Sequence, residues 1–331
     1  MKTFILCVAS LLLAGRTIAQ QQPQFSQYGL NGMYLNPAYA GIKGYGEFTL
    51  IGRSQYFNYQ GTFDEGGSPN TAILTASMPV PALAGGLGLS IYRDQIAQMT
   101  TTNVQLSYSR HITVGEEGRL GIGVQGLFNN IYLGRYRAND ESDEFVPREG
   151  SDAKFDVGAG LWYEAPKLYA GLSFNNLLRA DYRFRSEASL GRETARYINE
   201  NHAYLTGGYN IDLTSSVVLT PTVLVKMVLP GEYGSSDKFS FRNNSYEIGA
   251  RATFNERFWG GLGYRSEESF TALGGLSFAK DNAVRVGLAY DIIAFNQDAR
   301  AFNSFEILLS YRLPKPGVVV RPAIRTPRYS F

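Results

Sequence analysis

Tyr246-Glu247-Ile248-Gly249-Ala250-Arg251-Ala252-Thr253-Phe254 is the stretch that decides the fold class of this chain. In an extended strand, successive side chains point to opposite faces. Tyr246, Ile248, Ala250, Ala252 and Phe254 then share one face, and Glu247, Gly249, Arg251 and Thr253 share the other. An apolar face bounded by aromatics, backed by a charged one, suits a strand with lipid outside and a wet or plugged lumen inside.

The same period of two recurs on both sides of this stretch. Phe155, Val157, Ala159, Leu161 and Tyr163 alternate with Asp156, Gly158, Gly160 and Trp162. Val284, Val286, Leu288 and Tyr290 oppose Arg285 and Asp291, and Phe305, Ile307, Leu309 and Tyr311 oppose Glu306, Ser310 and Arg312. No helical period survives over comparable lengths.

Extending the pattern gives strands near 44–57, 71–80, 85–93, 100–113, 119–132, 153–164, 167–177, 202–213, 215–229, 244–255, 257–266, 269–279, 283–296 and 303–313. The expectation is an all-β, transmembrane antiparallel β-barrel of about fourteen strands, an even number as single-chain outer-membrane barrels have. Tight turns fall at every second connection: Pro81-Ala82-Leu83, Gly115 to Gly118, Ala165-Pro166, Thr214, Glu256 and Asp281-Asn282. The connections between them include the longer polar loops Asn58 to Asn70, Leu133 to Asp152, Leu178 to Asn201 and Pro230 to Asn243. Short periplasmic turns and long outer loops give this alternation, and an even count places both ends of the barrel on the periplasmic side. Glycines inside strands, as in Gly121-Gly123-Gly126 and Gly158-Gly160, allow tight curvature or the close approach of an internal plug.

Met1 to Ala19 reads as a secretory signal, with Lys2 ahead of an apolar run from Phe4 to Gly15 and a small-residue finish before Gln20. The sole cysteine, Cys7, lies in that leader, so a mature chain would have no disulfide, thiolate metal site or cysteine nucleophile. Removing Lys2 and Arg16 takes the formal charge of +2 to zero, and nucleic acid is not an expected partner. No later apolar run approaches the roughly 18 residues of a membrane helix. Only 18% charged residues beside 36 Gly and 22 Tyr leans away from a soluble enzyme.

Sites of chemistry are sparse, and neither a cofactor nor a metal is expected. Asp140-Glu141-Ser142-Asp143-Glu144 is acidic but lacks the calcium-loop spacing, and Gly260-Gly261-Leu262-Gly263 has no following helix to aim at a phosphate. Ser107 and Ser109 share a strand face with His111, which leaves a barrel-wall hydrolase as a third reading. Asp156, Glu247, Arg251, Arg265, Arg285 and Glu306 face the lumen, where they would line a solute path or pair across it.

Between leader and barrel lies Pro23 to Gly41, PQFSQYGLNGMYLNPAYAG, in which rings alternate with amides and Pro37 holds Asn36 extended. It makes neither a good helix nor a regular strand, and its composition suits packing on other protein. After the last strand, Pro314 to Phe331 carries Lys315, Arg321, Arg325 and Arg328 without an acid, and its prolines oppose any regular element.

Q-F-S-Q-Y followed by N-P-A-Y-A-G, with RPAIRTPRYSF at the end, resembles the PorP/SprF family of type IX secretion outer-membrane proteins. The resemblance implies a noncatalytic outer-membrane component that serves secretion or surface attachment of cargo, such as adhesins, carrying a C-terminal sorting domain, in some cases for gliding. Its partners would be outer-membrane lipids, other type IX components and the cargo. An outer-membrane channel or small-molecule transporter is the alternative. The expected organisation is a signal at 1–19, an arm at 20–43, the barrel at 44–313 and a periplasmic tail at 314–331. Candidate plug or partner contacts are Phe25, Ser26, Gln27, Tyr28, Asn36, Pro37, Ala38, Tyr39 and Gly41 in the arm. In the tail they are Arg321, Pro322, Arg325, Pro327 and Arg328.

Overall fold

The computed structural model describes residues 22–57, 59, 67–134, 149–185, 193–229, 244–295 and 303–314. Strands dominate. They are β1 (Glu47–Ser54), β2 (Asn70–Val80), β3 (Gly85–Ile96), β4 (Met99–Val114), β5 (Gly118–Leu133), β6 (Gly150–Glu164) and β7 (Leu168–Asn175). β8 (Asp181–Arg185) and β9 (Glu193–Ile198) follow, then β10 (Asn201–Tyr209), β11 (Ile211–Thr214) and β12 (Val217–Leu229). The last are β13 (Ser245–Phe254), β14 (Phe258–Arg265), β15 (Ser269–Phe278), β16 (Val284–Ile293) and β17 (Ser304–Arg312).

Neighbouring strands pair antiparallel in sequence order, and two ladders close the ring. β1 meets β17 from Glu47↔Arg312 to Ser54↔Phe305, and β10 meets β12 from Asn201↔Leu229 to Gly208↔Thr222. With β11 prolonging β10 along β12, the wall is a closed antiparallel barrel of 14 strands. Closure gives each wall strand a ladder on both sides, that of β6 with β7 reaching only from Glu164 to Ala159, and such pairing is what a β-structure needs to cross lipid.

Burial follows the alternation read from the sequence. On β13, Ile248 and Phe254 are exposed while Glu247 is buried, and on β17, Phe305, Ile307, Leu309 and Tyr311 face out while Glu306 and Ser310 face in. Aromatic rings bound the outward apolar band at both ends. Phe57, Phe305 and Tyr290 meet at centroid distances of 5.6 and 4.9 Å, and Tyr264 meets Phe270 at 5.2 Å, near the ends that carry the long connections. Phe48, Phe254, Phe258, Phe278 and Tyr311 are exposed at the tight-turn end. Two aromatic girdles around an apolar belt match the interfaces of an outer-membrane barrel.

Two features depart from the sequence reading. The stretch 202–213 is broken at Asn210 into β10 and β11, with a register shift against β12 between Asp212 and Thr214. The connection from Leu178 to Asn201, expected as a polar outer loop, holds the β8–β9 hairpin. Tyr182 and Phe184 pack with Ile131, Leu133 and Ala180 in one cluster, so the hairpin lies against the upper part of β5. Tyr182 also accepts a hydrogen bond from Asn129 Nδ2 at 3.1 Å.

Candidate functional site

The polar lumen side chains converge on residues 22–46, which run through the barrel from one end to the other before entering β1. Gln22 lies near the long-loop end. Its side chain accepts from Tyr204 Oη at 2.6 Å, and its carbonyl accepts from Lys226 Nζ at 2.6 Å. At the tight-turn end, Gly41 N–H donates to Ser77 Oγ at 2.8 Å, Ile42 O accepts from Arg119 at 3.3 Å, and Lys43 pairs with Glu164 at 2.6 Å. The arm is therefore not gathered at the tight-turn end, where β1 begins and β17 ends; its described part begins at the opposite one.

Short turns carry it along this path. One helical turn spans Gly32–Leu35, and 3-10 turns span Tyr28–Leu30 and Pro37–Tyr39. Asn36 caps the last of these, its Oδ1 accepting from Ala38 N–H at 2.9 Å, while Pro37 occupies the position where no donor is needed. Beyond the bonds within these turns, the arm exchanges hydrogen bonds with the wall. Asn36 Nδ2 donates to the carbonyls of Leu161 and Leu172 at 2.9 and 3.1 Å, tying together β6 and β7. Ser109 donates to Ala38 O at 2.9 Å, Ser173 to Leu35 O at 2.6 Å, and Thr75 to Asn31 Oδ1 at 3.0 Å.

A buried ionic cluster holds the arm's first turn. Arg53 bonds Asp291 at 2.7 Å and Glu306 at 3.2 Å, and Arg265 bonds Glu247 at 3.0 Å and Glu268 at 3.1 Å. Ser26 sits between the two guanidiniums. Its hydroxyl lies 2.8 Å from both Asp291 oxygens, 3.0 Å from Arg53 Nη1 and 3.3 Å from Arg265 Nη2. Glu306 accepts the backbone N–H of Ser26 at 2.8 Å and of Gln27 at 2.9 Å. Buried charges are stable when each is paired and hydrogen-bonded, and arm atoms contribute to that pairing here.

The remaining arm residues fill space between the walls. Phe25 meets Tyr34 edge-on at 5.2 Å, and Tyr34 meets Tyr92 of β3 at 6.1 Å. Tyr28 Oη lies 3.0 Å from Thr222 Oγ1. Tyr39 meets Trp162 edge-on at 5.1 Å and donates to Glu47 at 3.2 Å. Ala38 is fully buried, and a Cβ on Gly121 or Gly123 would meet its backbone. Gly41, at φ +71°, lies against Met78, Pro79 and Gly86, where any side chain would collide. Three cavities beside the arm measure about 30, 10 and 30 Å³, space for about one water each, and a wider one of about 490 Å³ opens beside Gly41 and Gly44, against Pro81, His111 and Arg119. A larger concavity of about 860 Å³ lies along β15–β17 and β1–β3 and includes no arm residue.

All nine arm candidates thus meet the lumen wall or one another, from Phe25 to Gly41. Arg321, Pro322, Arg325, Pro327 and Arg328 lie outside the described residues, as do the leader and Asp140 to Glu144. Of the lumen charges, Glu247, Arg265 and Glu306 belong to the arm-binding cluster. Asp156 instead accepts the backbone of Leu178 and Ala180 at 2.8 and 3.3 Å, and Arg285 faces Glu47 at 3.7 Å. Ser109 and His111 both serve the arm: the His111 ring nitrogen lies 2.9 Å from Ala40 O, and Ser109 is bonded to Ala38 O. Sequence reading passed over Glu268, Lys226 and, at the centre of the cluster, Arg53. Its signal was a lone arginine on the inward side of a strand whose other inward residues are Glu47, Thr49 and Ile51.

The family described as type IX secretion system membrane protein PorP/SprF matches residues 17–311. Among curated proteins none matches the chain. Solved structures of similar form include the CymD monoaromatic hydrocarbon channel, at 14% identity and TM-score 0.48, covering 85% of this chain and 91% of that one. A FadL homologue of Pseudomonas aeruginosa has 11% identity and TM-score 0.47, covering 85% and 93%. The translocator domain of the autotransporter NalP from Neisseria meningitidis has 13% identity and TM-score 0.42, covering 81% and 88%.

Proposed function

The chain belongs to the PorP/SprF family of type IX secretion system membrane proteins, and from that premise we propose that it is a noncatalytic outer-membrane component that links the secretion apparatus to a secreted or surface-held protein. The observation that carries this reading beyond family membership is the packed lumen. An arm bonded along its length to the wall, with cavities of about 30 Å³ or less beside its rings and a wider one of about 490 Å³ beside Gly41 and Gly44 at the tight-turn end, suits an anchor or docking platform and not a solute path.

In this reading the mature chain follows removal of the signal, the arm is a plug, and the tight-turn end faces the periplasm. Phe25, Ser26, Gln27, Tyr28, Asn36, Pro37, Ala38, Tyr39 and Gly41 brace the barrel from inside. The basic tail, through Arg321, Pro322, Arg325, Pro327 and Arg328, contacts periplasmic parts of the apparatus; four prolines and no acid favour an extended docking peptide. The long-loop end faces outward and engages cargo with a C-terminal sorting domain, adhesins and gliding proteins among the candidates.

Gentle affinity purification of the protein from outer membranes, with mass spectrometry of what accompanies it, tests this. Type IX components together with one large secreted protein are the expected companions. Recovery of the barrel alone would reject the reading.

A further inference from the structure

Between Gly150 and Gly158, among the described residues, β6 has a strand ladder on one side only. Its ladder with β5 runs from Gly150 to Glu164, whereas its ladder with β7 covers only Ala159 to Glu164. β7 ends at Asn175, and Asn176, at φ +59°, turns the chain aside. The segment that follows is held by inward side chains of β6. Asp156 accepts Leu178 and Ala180 N–H at 2.8 and 3.3 Å, and Asp152 accepts Arg183 N–H at 2.9 Å. The last bond made by the strand edge itself is Leu177 N–H to Val157 O, at 3.0 Å.

Backbone groups of alternate residues in a strand point to alternate neighbours. Since Val157 points away from β5, so do Phe155, Ala153 and Ser151. Among the described residues these three have no backbone partner on that side. All three are exposed, Phe155 by 59%. They lie at the long-loop end, from the aromatic rim upward, where an open edge is compatible with water but is also a template for another strand.

We propose that the Ser151–Phe155 edge accepts an extended segment of the secreted protein as an added strand; this rests on the proposed role of the long-loop face in engaging such a protein. Three N–H and C=O pairs in line fit an extended backbone of almost any sequence. Lys154 is paired to Asp152 at 3.1 Å on the inward side, so the edge asks for no particular charge there. Outward, Phe155 and the 58% exposed Leu178 offer apolar contact to alternate side chains of the incoming segment. A second copy of this chain fits less well. Two barrels in one membrane run β6 in the same sense, so their edges would meet parallel, the weaker pairing.

The test compares full-length wild type with Ala153→Pro and Ala153→Ser, each purified from outer membranes. Proline removes one edge donor without touching the ladder to β5, whereas serine keeps it. Ala153→Pro is expected to lower recovery of the secreted protein about tenfold, leaving the type IX components and heat-modifiable mobility unchanged, while Ala153→Ser retains it. A photo-cross-linking residue in place of Ser151 should join the secreted protein in wild-type background, which keeps the proposal testable if the proline variant fails to fold. Undiminished recovery with folded Ala153→Pro, or a cross-link only to a second copy, would overturn the edge while leaving the proposed function standing. Absence of any secreted protein from wild type would overturn both.

Discussion

The Ser26 hydroxyl lies 2.8 Å from Asp291, joining the arm to a strand 265 positions away, and it does so between the guanidiniums of Arg53 and Arg265. A hydroxyl has one donor and two acceptor sites, and all three are used. Ser26→Ala would leave a carboxylate oxygen and two guanidinium N–H groups short of a partner in a buried site. The expected cost is about 1–3 kcal/mol. It should appear as a lower temperature of the heat-modifiable gel transition and as faster protease cleavage within residues 22–40, with the barrel itself still formed. An unchanged transition would show that the cluster holds together without the arm.

Lumen glycines make a second prediction. Gly123→Ala puts a methyl group against the backbone of Ala38, and Gly160→Ala puts one against the Asn36 side chain. Overpacking costs about 1–3 kcal/mol. At Gly260 the nearest atom to an added Cβ is Leu273 O at 3.9 Å, so Gly260→Ala is the matched control. Thermal denaturation in detergent should separate the first two variants from the third. Equal tolerance at all three would mean that the arm yields freely.

The wall was legible in the sequence because period-two alternation survives wherever lipid and lumen impose opposite demands, as at Ile248 beside Glu247. The β8–β9 hairpin was not. Tyr182 and Phe184 alternate with Asp181, Arg183 and Arg185, but five residues among many charges resemble a solvated loop until Asn129 and Ile131 are known to face them. For the arm, rings and amides announced packing on protein, and glycines in β5 and β6 announced a close approach. Its direction of travel was hidden, because nothing local tells Gln22 that Tyr204 and Lys226 wait at the far end. Arg53 was equally silent: its role depends on Asp291 and Glu306, both more than two hundred residues away.

The hairpin should respond to acid. Hydrogen bonds from Arg196 and Arg183 pull the Asp181 carboxyl down to about 2, below its ordinary value of 3.8. A depressed carboxylate contributes stability that is complete above its unfolded value and is lost as pH falls through the folded one. Amide exchange at residues 181–185 and 193–198 should therefore stay constant from neutral pH to about 4, after correction for intrinsic rates, and rise between about 4 and 2. Asp181→Asn should remove that dependence. A profile identical in wild type and variant would dissociate Asp181 from the hairpin's stability.

The basic tail yields a prediction about display. Deletion of Arg321 to Phe331 removes three arginines and two prolines without touching β17, which ends at Arg312. The truncated protein should insert and show wild-type heat-modifiable mobility, yet lose both its periplasmic partners and surface display of cargo. Intact display would remove the tail from the docking role.

The arm as stopper is tested by conductance. The full protein in a planar bilayer should pass little current, because the arm's rings and the Arg53 and Arg265 cluster occupy the lumen and the gaps beside them admit about one water each. Removing residues 22–40 withdraws that filling while leaving all 14 wall strands. It also leaves two arginines facing four carboxylates across open water, where high dielectric lowers the cost of their incomplete pairing. The truncated barrel should therefore remain folded at reduced stability and conduct, with Lys226 and Arg251 facing the same lumen as the four carboxylates. Heat-modifiable mobility establishes folding before any current is read. A folded, silent variant would transfer the seal to the β8–β9 hairpin, whose Tyr182 and Phe184 pack beside the upper lumen; a conducting full-length protein would favour the alternative, a channel, over the anchor.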